Sequence, residues 1–168
     1  MTTPPDVFDP KLDLELVRTV DVPPQLMWKA WTTPKHLLPW FCPKPWTTVD
    51  CEIDLRPGGI FRTVMRSPEG QDYPNVGCYL DIVENERLIW TDMLGPGYRP
   101  ARGGPLGDGE CGMMTAILTF APEGKGTRYV ARALNRTEAD RKKHEDMGFE
   151  QGWGTCLDQL VAYIKKEM

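Results

Sequence analysis

Hydrophobic positions recur at every second residue through most of the chain and at every third or fourth toward its end. Residues 12–22 set Leu12, Leu14 and Leu16 against charged neighbours and continue with Val17, Thr19, Val20 and Val22. A period of two with β-branched residues predicts a strand with one face in water. Pro23 and Pro24 end it, and a proline in the first turn of a helix costs little, because its missing N–H would be unpaired anyway. Residues 25–31 then predict a short helix, with Met27 or Trp28 and Trp31 on one side. Thr33-Pro34, an N-cap type of residue followed by proline, predicts a second short helix to about Leu38.

Strand signals follow in quick succession. Residues 47–55 alternate Val49, Cys51, Ile53 and Leu55 against Asp50, Glu52 and Asp54, and Arg56-Pro57-Gly58-Gly59 reads as the turn into a strand over residues 60–66. Ser67-Pro68-Glu69-Gly70 is the next turn. Residues 76–83 and 88–94 predict a hairpin around Glu84-Asn85-Glu86-Arg87, and residues 113–120 and 127–134 another around Glu123-Gly124-Lys125-Gly126. Tight turns between consecutive strands mean antiparallel pairing, since parallel pairs need long crossovers.

From residue 137 to 166 the period becomes helical, with Phe149, Trp153, Cys156, Leu157, Leu160, Val161 and Ile164 at spacings of three and four and lysines on the other side. Thr137 with Asp140 predicts a capping-box variant at its start. Gly148, Gly152 and Gly154 each cost a helix up to about 1 kcal/mol relative to alanine, which predicts close packing or a bend near Gly152. The Arg141-Lys142-Lys143-His144 run, bracketed by acids, reads as a solvated face.

The predicted fold is therefore α+β. A seven-stranded antiparallel sheet curves around a long C-terminal helix, with two short helices after the first strand. Residues 1–11 form an extended tail and residues 12–168 a single domain.

Composition narrows the function classes. The chain has 168 residues, 40% hydrophobic and 26% charged, with a net charge of −4, which argues against nucleic acid. No apolar run nears the roughly eighteen residues that span a bilayer, so no membrane insertion is expected. The start of the chain does not read as a signal peptide, and a cytoplasmic location is expected. Cys42, Cys51, Cys78, Cys111 and Cys156 are odd in number and form no C-x-x-C, which fits free thiols in a reducing compartment. With only His36 and His144 besides, neither a metal nor a cofactor is expected. G-x-S-x-G, P-loop and H-E-x-x-H signatures are absent. No helix follows Pro57-Gly58-Gly59, so the phosphate-cradling mechanism is missing there.

Six segments occur in a recognisable order. They are Pro24 with Trp28 and Trp31; Pro34 with Trp40-Phe41; Asp54-Leu55-Arg56-Pro57-Gly58-Gly59; Gly77-Cys78-Tyr79-Leu80-Asp81-Ile82 before Arg87-Leu88; Gly126-Thr127; and Gly152-Trp153. Together they resemble the SRPBCC (START-like) superfamily, in the branch named after the C-terminal domain of the heat-shock-protein ATPase activator. The resemblance implies the helix-grip fold, and a superfamily that includes lipid and hormone carriers as well as polyketide cyclases and aromatases.

A cavity in such a fold would lie between the sheet and the last helix. Its candidate ligand-binding residues are Phe149, Trp153, Leu157 and Val161 from the helix, Phe61, Met65, Tyr79, Trp90 and Met114 from the sheet, and Trp40 and Phe41 from the region of the second short helix. Asp92 shares a strand face with Trp90 and could orient a ligand; Tyr79 and Asp81 likewise share one. A carboxylate among aromatic rings would have a raised pKa and could serve as general acid or base. The alternative is that Asp81 and Asp92 sit near strand ends and meet solvent or arginine. Residues 95–112, ten of them glycine or proline and carrying Tyr98, Arg99 and Arg102, read either as a lid or as a plain connection.

Three functions follow as expectations. The first is binding of a small hydrophobic or amphipathic molecule. The second is a cyclase, hydrolase or isomerase with a pocket carboxylate or tyrosine. The third is an interaction module whose partner is a chaperone, with a second copy of the chain as a further candidate partner. The absence of a committed catalytic constellation favours binding.

Overall fold

A computed structural model describes residues 7–101 and 114–168. The elements run β1 (Asp13–Val20), α1 (Pro24–Thr32), α2 (Pro34–Leu37), β2 (Thr47–Ile53), β3 (Ile60–Arg66), β4 (Asp72–Val83) and β5 (Arg87–Thr91). A small hairpin of β6 (Leu94–Gly95) and β7 (Arg99–Pro100) follows, then β8 (Thr115–Glu123), β9 (Gly126–Leu134), α3 (Glu138–Asp146) and α4 (Phe149–Glu167). Seven strands form one antiparallel sheet in the order β1-β9-β8-β5-β4-β3-β2. β1 and β2 are thus the two edges, and α1 and α2 carry the chain from one to the other. This is the expected helix-grip architecture.

Alternation gives the sheet its two faces. Leu88 and Trp90 on β5, Ala116, Leu118 and Phe120 on β8, and Tyr129, Ala131 and Ala133 on β9 are buried on the inner face. The three alanines have the smallest side chains there, which lets the helices approach closely. α1 contributes Met27, Trp28, Ala30 and Trp31 to the same core, so Met27 and Trp28 are both buried. α4 contributes Phe149, Leu157, Leu160 and Ile164.

A close approach explains Gly126-Thr127. A Cβ on Gly126 would stand 2.0 Å from the Val20 carbonyl oxygen, and Thr127 Oγ1 donates to the Val22 carbonyl at 2.7 Å. The pair docks the end of the first strand onto the start of the last.

Two bulges overturn strict alternation. Between Thr48 and Asp50 the β2–β3 register slips, so Thr48 is buried and Val49 is exposed, against the expected pattern. Between Tyr79 and Asp81 the β4–β5 register slips as well. Tyr79 stays inside while Asp81 joins the outer face, so the two do not share a face. A bulge inserts one unpaired residue and therefore flips every side chain beyond it.

The C-terminal segment is two helices, not one. Gly148 takes φ +92°, a left-handed conformation that ends α3 and that glycine adopts without a steric penalty. The break therefore falls at Gly148, and α4 runs unbroken through Gly152. Thr137 caps α3 by accepting from the Asp140 N–H at 3.1 Å. Thr33 occupies the N-cap position of α2 without a side-chain cap. His144 leaves the solvated face and packs on Phe149, ring centroids 5.2 Å apart. In the expected tail, Asp9 to Leu12 form a turn, the Asp9 carbonyl accepting from the N–H groups of Leu12 and Asp13.

Cys42, Cys51, Cys78 and Cys156 are free thiols; Cys111 lies outside the described residues, as do Arg102 and most of the expected lid. Among the described residues no helix is long and apolar enough to cross a membrane.

Candidate functional site

Between the inner face of the sheet and α4 lies a cavity of about 240 Å³, walled by Trp31, Trp40, Phe41, Phe61, Trp90 and Trp153 among others. Of the residues expected there, Trp40, Phe41, Phe61, Met65, Trp90, Met114, Trp153 and Leu157 line it. Four do not. Phe149 is buried one helical turn before Trp153 and packs on it at 5.8 Å. Tyr79 lies behind Phe61 at 5.3 Å. Val161 is half-buried farther along α4. Asp92 sits at the end of β5 against Met114.

Sequence reasoning missed Trp31, Cys42, Pro43, Asn75, Tyr129, Gly152, Cys156 and Leu160 as lining residues. Trp31 carried a signal, since its helical spacing already put it on the inner side of α1. Cys42, Pro43 and Asn75 carried none: they reach the cavity through irregular backbone or the far end of β4.

The rings form a continuous wall. Trp31 meets Trp40 at 4.7 Å, Trp90 at 5.4 Å and Phe41 at 5.7 Å. Trp153 lies near-parallel to both Trp31 and Trp90, with centroids 6.3 Å away in each case. Edge-on and offset contacts of this kind add about 0.5–1.5 kcal/mol each beyond burial. Phe41, Cys42 and Pro43 follow α2 without regular structure, and Gln159 of α4 bolts them down. Its Nε2 donates to the carbonyls of Trp40 (3.1 Å) and Cys42 (2.8 Å), and its Oε1 accepts from the Lys44 N–H at 3.1 Å. His36 Nδ1 pairs with the Tyr163 hydroxyl at 2.7 Å, a second tie between α2 and α4.

Among the described residues, no lysine, arginine, histidine or carboxylate lines the cavity. Burial pushes the Cys156 thiol up to about 12 and raises both the Cys42 thiol and the Tyr129 phenol, so all three stay neutral near pH 7. Asp81 is paired on the outer face with Arg87 at 2.6 Å. Two other depressions, of about 240 and 500 Å³, have walls dominated by charged residues such as Arg87, Arg128 and Arg132 in one and Arg141, Glu145 and Glu150 in the other.

Asp92 closes the chain beside the cavity. Its Oδ1 accepts from the Met114 N–H at 2.7 Å, Thr91 Oγ1 donates to the Met114 carbonyl at 2.9 Å, and Thr115 Oγ1 donates to Thr91 Oγ1 at 3.1 Å. Burial lifts the Asp92 carboxyl to about 6, partly offset by hydrogen bonds from the Met114 and Asp92 N–H groups. A folded-state value above the ordinary 3.8 means that the native state binds the proton more tightly. Stability from this group is therefore greatest below pH 4 and is lost as pH rises through 6. The upper bound is roughly 3 kcal/mol. Asp92→Asn keeps the acceptor oxygen and removes the charge. It is expected to be more stable than the parent by about 1–2 kcal/mol at pH 8, with the gap closing toward pH 4. Urea unfolding at both pH values checks this, and a gap that widens toward low pH contradicts the assigned environment.

Comparison with known proteins agrees with this architecture. The family profile described as activator of Hsp90 ATPase homolog 1-like protein matches residues 21–165. Protein NE0264 from Nitrosomonas europaea is 47% identical over 95% of this chain and 98% of its own, with a TM-score of 0.88. Protein Ms6760 from Mycobacterium smegmatis shares the fold at 22% identity and a TM-score of 0.73, over 94% of this chain and 93% of its own. The AHSA1-like protein from Aeromonas hydrophila does so at 18% and 0.65, over 92% of each chain. None of the curated proteins matches. The chain belongs to the family of activator of Hsp90 ATPase homolog 1-like proteins.

Proposed function

We propose that this protein binds a small apolar molecule in the cavity between sheet and last helix, without transforming it. The observation that carries the reading is Gly152. It lines the cavity, and a Cβ built on it meets nothing within 4 Å. A glycine inside a helix costs up to about 1 kcal/mol relative to alanine, and here that cost comes with open space in place of a packing contact. Binding sites are concave, mostly apolar and largely pre-formed, as this one is. Among the described residues the lining is neutral near pH 7, which supports binding over catalysis, because acid–base chemistry needs a group that gains or loses a proton within hydrogen-bond reach of the reacting atoms.

The test is a thermal-shift screen with short fatty acids, flavonoids, sterols and polyketide-like aromatics, on the parent and on Gly152→Leu. A ligand at a hundredfold excess over Kd stabilises by about 2.7 kcal/mol. In Gly152→Leu the side chain fills the space and restores helix propensity. That variant is expected to melt higher than the parent when unliganded and to lose the ligand-induced shift. If no compound shifts the parent, or the shift persists undiminished in Gly152→Leu, the cavity is not the binding site.

A further inference from the structure

One corner of the cavity adjoins a pair of aromatic rings that stand outside its packed wall. Pro43, Met65 and Asn75 line the cavity and are each half-buried. Met65 on β3 lies opposite Thr48 of β2 on one side and Tyr73 of β4 on the other. Directly opposed residues of an antiparallel pair point to the same face, so Tyr73 shares the inner face with Met65. Asn75, two residues farther along β4, shares it too. Trp46 belongs to the same corner, its N–H donating to the Pro43 carbonyl at 3.1 Å. The Trp46 and Tyr73 rings reach toward each other across β3 and meet with centroids 5.4 Å apart. Yet Trp46 remains 37% exposed and Tyr73 36%. Exposed apolar residues scattered singly are ordinary, whereas large rings in contact with each other beside an apolar cavity point to an interaction site.

We infer that the cavity opens beside Trp46 and Tyr73, and that this pair is an outer subsite for a flat ring. The ligand is then a two-part molecule, with one apolar group inside the cavity and an aromatic ring at its mouth. This rests on the binding role proposed above and extends it. The segment that carries Trp46 is held in place from two sides. Gln159 bonds the Cys42 carbonyl and the Lys44 N–H, and Thr48 Oγ1 donates to Cys42 Sγ at 3.3 Å. A platform fixed in this way loses little conformational freedom when a ligand settles on it. Its rings offer a flat partner offset and edge-on contacts, and covering them removes apolar surface from water. Met65, between the cavity and the pair, has the pliable side chain that adapts to rings on either side. A short link is enough to join the two parts of the ligand, because Tyr73 lies directly opposite Met65 and two residues from Asn75.

The experiment compares three ethers of one ring system: 2-methoxynaphthalene, 2-benzyloxynaphthalene and 2-(cyclohexylmethoxy)naphthalene. Each is titrated by calorimetry against the parent, Trp46→Ala, Tyr73→Ala and Gly152→Leu. The benzyl ether is expected to bind the parent about tenfold more tightly than the methyl ether, and about threefold more tightly than the cyclohexylmethyl ether, which lacks the flat ring. Trp46→Ala and Tyr73→Ala truncate exposed side chains on separate segments, so if one variant does not fold the other still reports. Each should remove most of the benzyl gain and leave the methyl ether unchanged. Gly152→Leu fills the cavity itself and should weaken all three ethers. Equal binding of the benzyl ether and either of the others to the parent, or a benzyl gain that survives the truncations, overturns the outer subsite while the cavity still binds. Failure of all three ethers to bind the parent removes the binding role as well.

Discussion

Trp31→Ala is expected to lower the free energy of unfolding by about 3–5 kcal/mol. The side chain is 2% exposed, and its ring touches Trp40, Phe41, Trp90 and Trp153, from α1 to α4 and across the sheet. Truncation loses the transfer free energy of the indole and enlarges a space that is already partly open, so relaxation recovers little. A domain of this size is stable by about 5–15 kcal/mol, and the variant should stay folded but with a clearly lower urea midpoint. Parallel denaturation followed by circular dichroism measures it. A cost under about 1 kcal/mol would mean that the aromatic wall is not packed as described. Trp153 is half-buried on the cavity wall, so its truncation is expected to cost less than that of Trp31.

Gly126→Ala should be nearly as damaging, for a different reason. The added carbon would stand 2.0 Å from the Val20 carbonyl oxygen, a separation that no pair of non-bonded atoms tolerates, and the obstacle is backbone, not a flexible side chain. Either the end of β1 or the start of β9 must shift, and the shift strains the adjacent Thr127–Val22 hydrogen bond. Overpacking costs about 1–3 kcal/mol and a compromised buried hydrogen bond about 1–3 more, so a loss of about 3 kcal/mol is expected. Gly152→Ala makes the same chemical change where the new carbon meets nothing, and should stabilise by up to about 1 kcal/mol. If the two substitutions shift the unfolding midpoint in the same direction and by like amounts, the close approach at Gly126 is not real.

Much of the fold is legible along the chain because its signals are local. Alternation at Leu14 and Leu16, the Glu84–Arg87 turn and the three-and-four spacing from Phe149 to Ile164 each report a nearby geometric period, and the structure has the corresponding strand, hairpin and helix. The departures arise where one residue resets the period. Val49 and Asp81 look like their neighbours, but Val49 is itself the unpaired residue of one bulge and Asp81 follows another, so neither keeps its expected face. Nothing in the residues themselves marks that slip, because it is decided by pairing with β3 and β5. Gly148 and Gly152 are both glycines in one helical stretch, and sequence alone does not tell which breaks it and which opens a space.

The sequence by itself determined the seven main strands with their antiparallel hairpins, the two short helices and the family, and it identified eight of the residues that line the cavity. It did so because hydrophobic period, turn chemistry and motif order are properties of neighbouring residues. Only the tertiary structure decided that a cavity remains at all. Its walls come from α1, the segment after α2, the sheet and α4, and whether their rings fill the centre depends on how those elements are spaced. The same arrangement left Tyr79 behind Phe61, took Asp92 to the end of its strand, and set the Trp46 and Tyr73 rings against each other across β3. An unfilled volume and a ring pair across a strand are relations between distant residues, and no stretch of sequence contains either.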